Sequence, residues 1–368
     1  LKPCPDNILG EFVLEGVTDA RTCAVQDPVT IYTVGHHKFL AKKAVLFHGQ
    51  GFRTHEPCVD VDFHSVITGV ETAYDDCLLL AKTVRDIALR EARRQKPRGD
   101  EIGKAKLARR VADRFNCETD ESLKEQTNDL QTDLFARWRE TGMYGEETLL
   151  RSSEEMMRIT SRVREGEELA GSVPIEAYEP GPGLTLHIHE SLLNHMADQW
   201  GFAGRTMTEA EVRTELEAYF TTLLGREVAF EDEAPGDDGP DTFAFDPTDP
   251  VRFQIENGAV LMIIRAAFLR EGQEDIPPQQ VTVPLIPILD GDDILIRRGT
   301  VQVAPVEPAE NRAEQIARAG IVRKKIEDSI LERREPRTYE IEREEREPVE
   351  VYVTEIKAYN GWLTIFAE

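Results

Sequence analysis

The stretch Asp249-Pro250-Val251-Arg252-Phe253-Gln254-Ile255-Glu256-Asn257-Gly258-Ala259-Val260-Leu261-Met262-Ile263-Ile264-Arg265-Ala266-Ala267-Phe268-Leu269 decides the fold class. Two strand-length runs, 251–256 and 259–269, flank Asn257-Gly258, the dipeptide that tight hairpin turns select because both positions need a positive φ. A β-hairpin is predicted here. The same pattern recurs outward from it: residues 290–293 turn a hairpin that follows the apolar run 281–289, and Asn360-Gly361 turns a last one that ends at Phe366.

Toward the N-terminus, residues 10–17, 29–34, 39–47 and 59–70 alternate apolar and polar side chains, which reads as long antiparallel strands. From Ala73 the period changes. Tyr74, Cys77, Leu78, Ala81, Val84, Ala88 and Ala92 mark one helical face, Pro97 and Gly99 interrupt it, and helical spacing resumes at Ile102, Ala105, Ala108, Val111 and Phe115. Residues 73–141 are therefore expected to be mostly helix, and 309–334 a second long helix. Shorter helices are expected over 190–200 and after Thr208, where Thr208-Glu209-Ala210-Glu211 matches a capping box. A strand over 156–163 precedes the Gly/Pro-rich stretch 171–183, the clearest linker. With 368 residues, too many for one ordinary core, this predicts an α+β protein of two modules, 1–170 and 171–368. Each packs long twisted antiparallel strands on a long helix.

The two modules also align. Asp27-Pro28-Val29 matches Asp249-Pro250-Val251, and with one gap Gly35 pairs with Gly258, Lys42 with Arg265, Ala44 with Ala267 and Leu46 with Leu269. An internal duplication is the expectation.

Several short motifs run through nearly the whole chain: D-N-I-L-G at 6–10, G-x-x-x-F-x-A-x-K from Gly35 to Lys43, H-E-S-L-L-N at 189–194, G-R-T-M-T at 204–208, D-P-V-R-F at 249–253 and N-G-W-L at 360–363. In these the chain resembles an uncharacterised family of exported planctomycete proteins, which implies export to the periplasm or cell envelope. More loosely, its order of elements is similar to that of the tubular lipid-binding (TULIP) superfamily, in which a curved sheet wraps a long helix around acyl chains. That likeness implies a tandem arrangement with a lipid ligand.

Sixty-nine acidic residues against 44 basic ones give a net charge of −25. This argues against nucleic acid as a partner, since duplex binding depends on cations neutralising phosphates. No apolar run reaches the length of a membrane span. Basic charge is concentrated between Lys82 and Arg114, where twelve cations stand against five anions and the rest of the chain is left at −32. Arg93, Arg94, Arg109 and Arg110 are the expected contacts to an anionic partner there, the acidic remainder of this chain or of a neighbouring subunit being preferred to an anionic membrane; otherwise they form a solvated helix face held by i,i+4 pairs.

Other candidate constellations are sparse. His187, His189 and His195 have a strand-then-helix spacing that could bring three imidazoles to one metal; otherwise they are rim and helix-entry residues. Asp237, Asp238, Asp241 and Asp246 offer oxygen ligands of the kind calcium takes, without the order of an EF-hand loop. The five cysteines contain no C-x-x-C; they read as small buried hydrophobes or as up to two disulfides with one thiol left over. There is no nucleophile elbow, HExxH, Walker loop or dinucleotide fingerprint, so no catalytic residue and no cofactor is assigned. The reading that follows is a non-enzymatic structural or assembly protein of the cell envelope with an apolar groove. It is expected to act as a homo-oligomer or in a larger assembly. A lipid carrier is the alternative and a paired-carboxylate hydrolase a distant one.

Overall fold

The structure is a computed structural model. It describes residues 10–47, 51–77, 81–145, 147–153, 156–164, 171, 183–230, 242–270, 272–308, 311–330, 332–343 and 346–368. The chain is α+β and divides into two compact units, one of residues 1–133 and 148–160, the other of 134–147 and 161–368.

In the first unit β1 (Gly10–Gln26) pairs antiparallel with β2 (Val29–Phe47) along its whole length, from Gly10 opposite Val45 to Gln26 opposite Val29. The other edge of β2 takes β4 (Cys58–Thr72) and, beyond it, β3 (Phe52–Thr54). The expected break after Val34 is absent: β2 is one strand of 19 residues that passes straight through Gly35. Its odd-numbered residues Gly35, His37, Ala41, Lys43 and Val45 are buried, and they mark the face on which the helix α1 (Ala81–Asp129) lies.

α1 runs unbroken for 49 residues, about 73 Å at 1.5 Å per residue. Pro97 and Gly99 do not interrupt it, because Pro97 is exposed and solvent can take the carbonyl left free by its missing N–H. The shielded positions recur at every fourth residue: Val84, Ala88, Ala92, Lys96 and Asp100, then after one step of three Gly103, Leu107, Val111, Phe115, Thr119 and Leu123. A four-residue repeat exceeds the 3.6-residue turn, so the inward stripe drifts around the helix axis, as contact with a twisted sheet demands. This drift turns Ile102 out to solvent, where it is 50% exposed. Gly103 lies against Phe63, and a Cβ there would come within 2.5 Å of the ring. The apolar part of the interface is small, with Val45 and Leu123 buried among Phe12, Phe47 and Phe52.

Polar bonds supply the rest. Lys43 is 0% exposed, and its Nζ donates to Asp120 Oδ1 at 2.6 Å and to Asn116 Oδ1, while Thr54 Oγ1 donates to the same Asp120 oxygen. Nearer the helix start, Asp100 accepts from Ser65 Oγ and pairs with Lys96. Between these anchors the buried His37 ring stacks on Phe63 with centroids 3.8 Å apart. A π-helical turn at Leu130–Leu134 then leads to α2 (Phe135–Glu140) and to a two-stranded sheet of β5 (Glu147–Ser152) and β6 (Met157–Arg162).

The second unit opens with β7 (Leu184–His189), α3 (Glu190–Gln199), β8 (Thr206–Thr208) and α4 (Glu209–Leu224). The capping box at Thr208 and Glu211 is present, and Gly225 ends α4 in the left-handed region. There follow β9 (Thr242–Phe245), β10 (Val251–Glu256), β11 (Ala259–Leu269), β12 (Ile276–Asp290), β13 (Asp293–Arg298), β14 (Gln302–Pro305), α5 (Arg312–Ser329) and β15 (Arg333–Pro336). β8 to β15 make one eight-stranded sheet. The predicted Asn257-Gly258 turn joins β10 to β11 with both residues at positive φ. Its core is large: fifteen buried residues, among them Phe202, Met207, Phe253, Phe268, Val283 and, from α5, Val322 and Ile326. Arg298 reaches the C-terminal carbonyls of α5 at Glu327 and Ile330, the end at which a cation meets the helix dipole favourably. The last strands, β16 (Thr338–Arg343), β17 (Arg346–Tyr359) and β18 (Trp362–Ala367), form a four-stranded sheet with β7 in the order β16-β17-β18-β7.

Three expectations need correction. The aligned residues Gly35 and Gly258 do different work, one inside a strand and the other in a turn. The helix expected over 309–334 is α5, which is shorter, ending at Ser329, and its expected last residues Arg333 and Arg334 open the strand β15. Cys23, Cys58, Cys77 and Cys117 are neither buried nor bridged but exposed free thiols; Cys4 lies outside the described residues. No helix among the described residues is long and apolar enough to cross a membrane.

Candidate functional site

The sheet β16-β17-β18-β7 has one face with a continuous block of apolar positions. By register, Tyr339 and Ile341 of β16 stand opposite Val351 and Val349 of β17, and Ile356 and Ala358 opposite Ile365 and Leu363 of β18. Leu186 and Ile188 of β7 close the row against Ile365 and Leu363. Side chains alternate along a strand, so this face follows directly from the i, i+2 spacing in Y-E-I, V-E-V-Y-V and L-T-L-H-I. A bulge between Val353 and Glu355 shifts the parity by one and keeps Val353 and Ile356 on the same side.

The centre of this face is covered. Val353 and Ala367 are buried with Ile294, and Leu289, Val351, Ile356 and Ile365 pack around them. Its two ends are not: Leu184 and Leu186 on β7 are 59% and 49% exposed, and Tyr339 and Ile341 on β16 are 44% and 50% exposed. β7 and β16 are also the terminal strands, each with a strand neighbour on one side only among the described residues. Exposed apolar side chains on an open edge are what another chain or an apolar ligand can use.

Elsewhere in the unit an edge is closed. Asn194 of α3 both donates to Phe253 O at 3.0 Å and accepts from Phe253 N at 2.7 Å, and Glu190 Oε2 accepts from Ile255 N. The helix thus satisfies the free side of β10. Gly361 N donates to Ile255 O and Glu190 N to Gly361 O, which joins H-E-S-L-L-N, D-P-V-R-F and N-G-W-L at one structural junction. These motif residues hold elements together.

The three histidines are likewise engaged separately. His187 Nδ1 meets Thr364 Oγ1 at 2.9 Å. His189 caps α3, its Nδ1 accepting from Ser191 N at 3.0 Å, and burial pulls its pKa below the ordinary value against the opposing pull of Glu190. His195 is buried and donates Nε2–H to Gly142 O at 2.9 Å. Among the described residues no group of three or more His, Cys, Asp or Glu side chains is placed to hold a metal ion. Asp246 serves a turn, accepting from Thr248 N and Asp249 N, and these bonds hold its carboxyl below the usual range. Asp237, Asp238 and Asp241 lie outside the described residues.

Arg93, Arg94, Arg109 and Arg110 are all exposed on α1. Arg94 pairs with Glu91, and Arg109 approaches Asp113 at 3.8 Å. Burial pushes the pKa of Tyr219 up to about 12. Its hydroxyl donates to Thr141 O, a bond that ties α4 to the turn after α2. The open-edged apolar face is not assigned from the sequence because alternation sets a polar residue beside each apolar one, as in Y-E-I at 339–341 and L-T-L-H-I at 184–188.

No protein-family model matches the chain, and no curated protein matches it. Among solved structures, a crystal structure of lipopolysaccharide binding protein aligns over 100% of this chain and 84% of that one, with 9% sequence identity and a TM-score of 0.26. At that score the likeness bears on neither fold nor function.

Proposed function

We propose that the protein is a non-enzymatic assembly component of an exported, cell-envelope compartment, and that it works as a homo-oligomer. The observation that carries this reading is the apolar face whose uncovered ends lie on the two terminal strands β7 and β16. Natural sheets blunt such edges with charge, proline or a covering helix, as α3 does for β10; here Leu184, Leu186, Tyr339 and Ile341 remain in solvent. Native mass spectrometry of the full chain tests this reading. The wild type should assemble, and Leu184→Asp with Leu186→Asp should shift it toward smaller species without loss of folded signal.

A second reading has its own support. The uncovered apolar side chains at either end of the sheet, Leu184 and Leu186 or Tyr339 and Ile341, offer a surface to an acyl chain, which would make the protein a lipid carrier. Copurified lipid released from a monomer, and lost in the same Leu184/Leu186 variant, would favour the carrier over assembly.

A further inference from the structure

The outward side of α1 carries an ordered charge pattern. Because inward positions recur every fourth residue, outward ones do so too, offset by two. Beyond an initial Asp86, this outward ridge carries Arg90, Arg94, Arg98 and Arg109 and continues with Asp113, Glu121, Glu125 and Asp129, all exposed. It is basic in its first half and acidic in its second. Where the sign changes, a shallow depression is lined by the cations Lys106, Arg109, Arg110 and Arg114 together with Asp113, Cys117 and Glu118.

Such a ridge is complementary to itself when reversed. Laid antiparallel on a second copy about a two-fold axis between Arg109 and Asp113, Arg109 meets Asp113, Arg98 meets Glu125 and Arg94 meets Asp129, each pair occurring twice by symmetry. Ala105 meets Cys117 at a small, exposed position. Ile102 meets Glu121, the one pairing without complement. A parallel arrangement would set arginine on arginine and carboxylate on carboxylate, so the charge order selects direction as well as partner.

We propose that α1 is an isologous, antiparallel contact between two copies of this chain, with the basic half of each ridge on the acidic half of the other. This rests on the assembly reading above but uses a different surface. Exposed ion pairs are individually weak and screened by salt. Their arrangement therefore sets register and partner choice, and the contact should loosen as salt rises.

Sedimentation velocity of the full chain at micromolar concentration and low salt tests the contact with three variants. The first is Arg94→Glu with Arg98→Glu and Arg109→Glu; the second is Asp113→Arg with Glu125→Arg and Asp129→Arg; the third combines all six and leaves net charge unchanged. Each triple variant should weaken self-association by about tenfold or more. An equimolar mixture of the two triples should associate again, and so should the six-fold variant. Circular dichroism checks that α1 is intact. If a triple loses helix, the six-fold variant decides the matter. Triples that associate like the wild type would overturn the proposal, as would an intact six-fold variant that fails to recover. Tighter binding of the acidic-half triple to anionic vesicles, with self-association unchanged, would assign the ridge to a membrane instead. A wild type that assembles regardless of the ridge leaves the assembly reading standing without this contact, whereas a monomeric wild type overturns both.

Discussion

In the first unit α1 is held to its sheet at a few points: Lys43 with Asn116 and Asp120, Asp100 with Ser65 and Lys96, and a small cluster around Val45 and Leu123. In the second, α5 sets Val322 and Ile326 into a core of fifteen buried residues. Point anchors are directional and fail when one partner is removed, since the other is left buried without compensation. A distributed apolar core instead loses stability in proportion to the cavity made. The first unit gains a fixed helix register from few contacts, and leaves most of α1 open to solvent.

This contrast can be broken at either end. The largest effect belongs to the second unit: Phe268→Ala, at a site 3% exposed, should cost about 3–5 kcal/mol, and calorimetry should show the loss in one transition only. Next, Asp120→Ala should cost about 2–4 kcal/mol by stranding the fully buried Lys43. Asp120 itself is half in water, so the converse Lys43→Met should cost less. The loss should appear in the other transition, together with faster amide exchange in α1.

A smaller effect comes from pH. Burial holds the pKa of His37 below its ordinary value of 6.5, with neighbouring His36 adding to the shift and Asp100 opposing it. The unfolded chain therefore takes up a proton that the folded unit resists. Stability is full above pH 6.5 and falls as pH drops from there through the folded pKa. His37→Phe should flatten that part of the first unit's stability profile. The carboxyls of Asp100 and Asp120, lowered by Lys96 and Ser65 and by Lys43 and Thr54 against the raising effect of burial, act separately. Their contribution disappears only in acid, below the ordinary carboxylate range. Smallest of all, Leu184→Asp with Leu186→Asp should change stability by no more than about 0.5 kcal/mol; its effect should fall on assembly.

Much of the second unit was legible because its determinants are local. Asn257-Gly258 and Asn360-Gly361 fix turns through backbone φ, and Thr208 with Glu211 fixes a helix start within four residues. The first unit was harder to read for a physical reason. Helical faces are sought at a period of 3.6, but α1 follows a twisted sheet and repeats at four, so Ile102 was assigned inward when Asp100 and Gly103 face the sheet. Gly35 was read as a turn because glycine usually marks one; here it gives room to the His37 ring beside it, which an added Cβ would meet at 2.3 Å. The open apolar face depends on which strands end a sheet, and pairing order over 150 residues leaves no local trace.

The central claim is that this chain works as an assembly with copies of itself. Native mass spectrometry of the full-length chain at micromolar concentration in physiological salt counts subunits and bound lipid together. The account predicts a homo-oligomer without stoichiometric lipid; a monomer, with or without lipid, would contradict it.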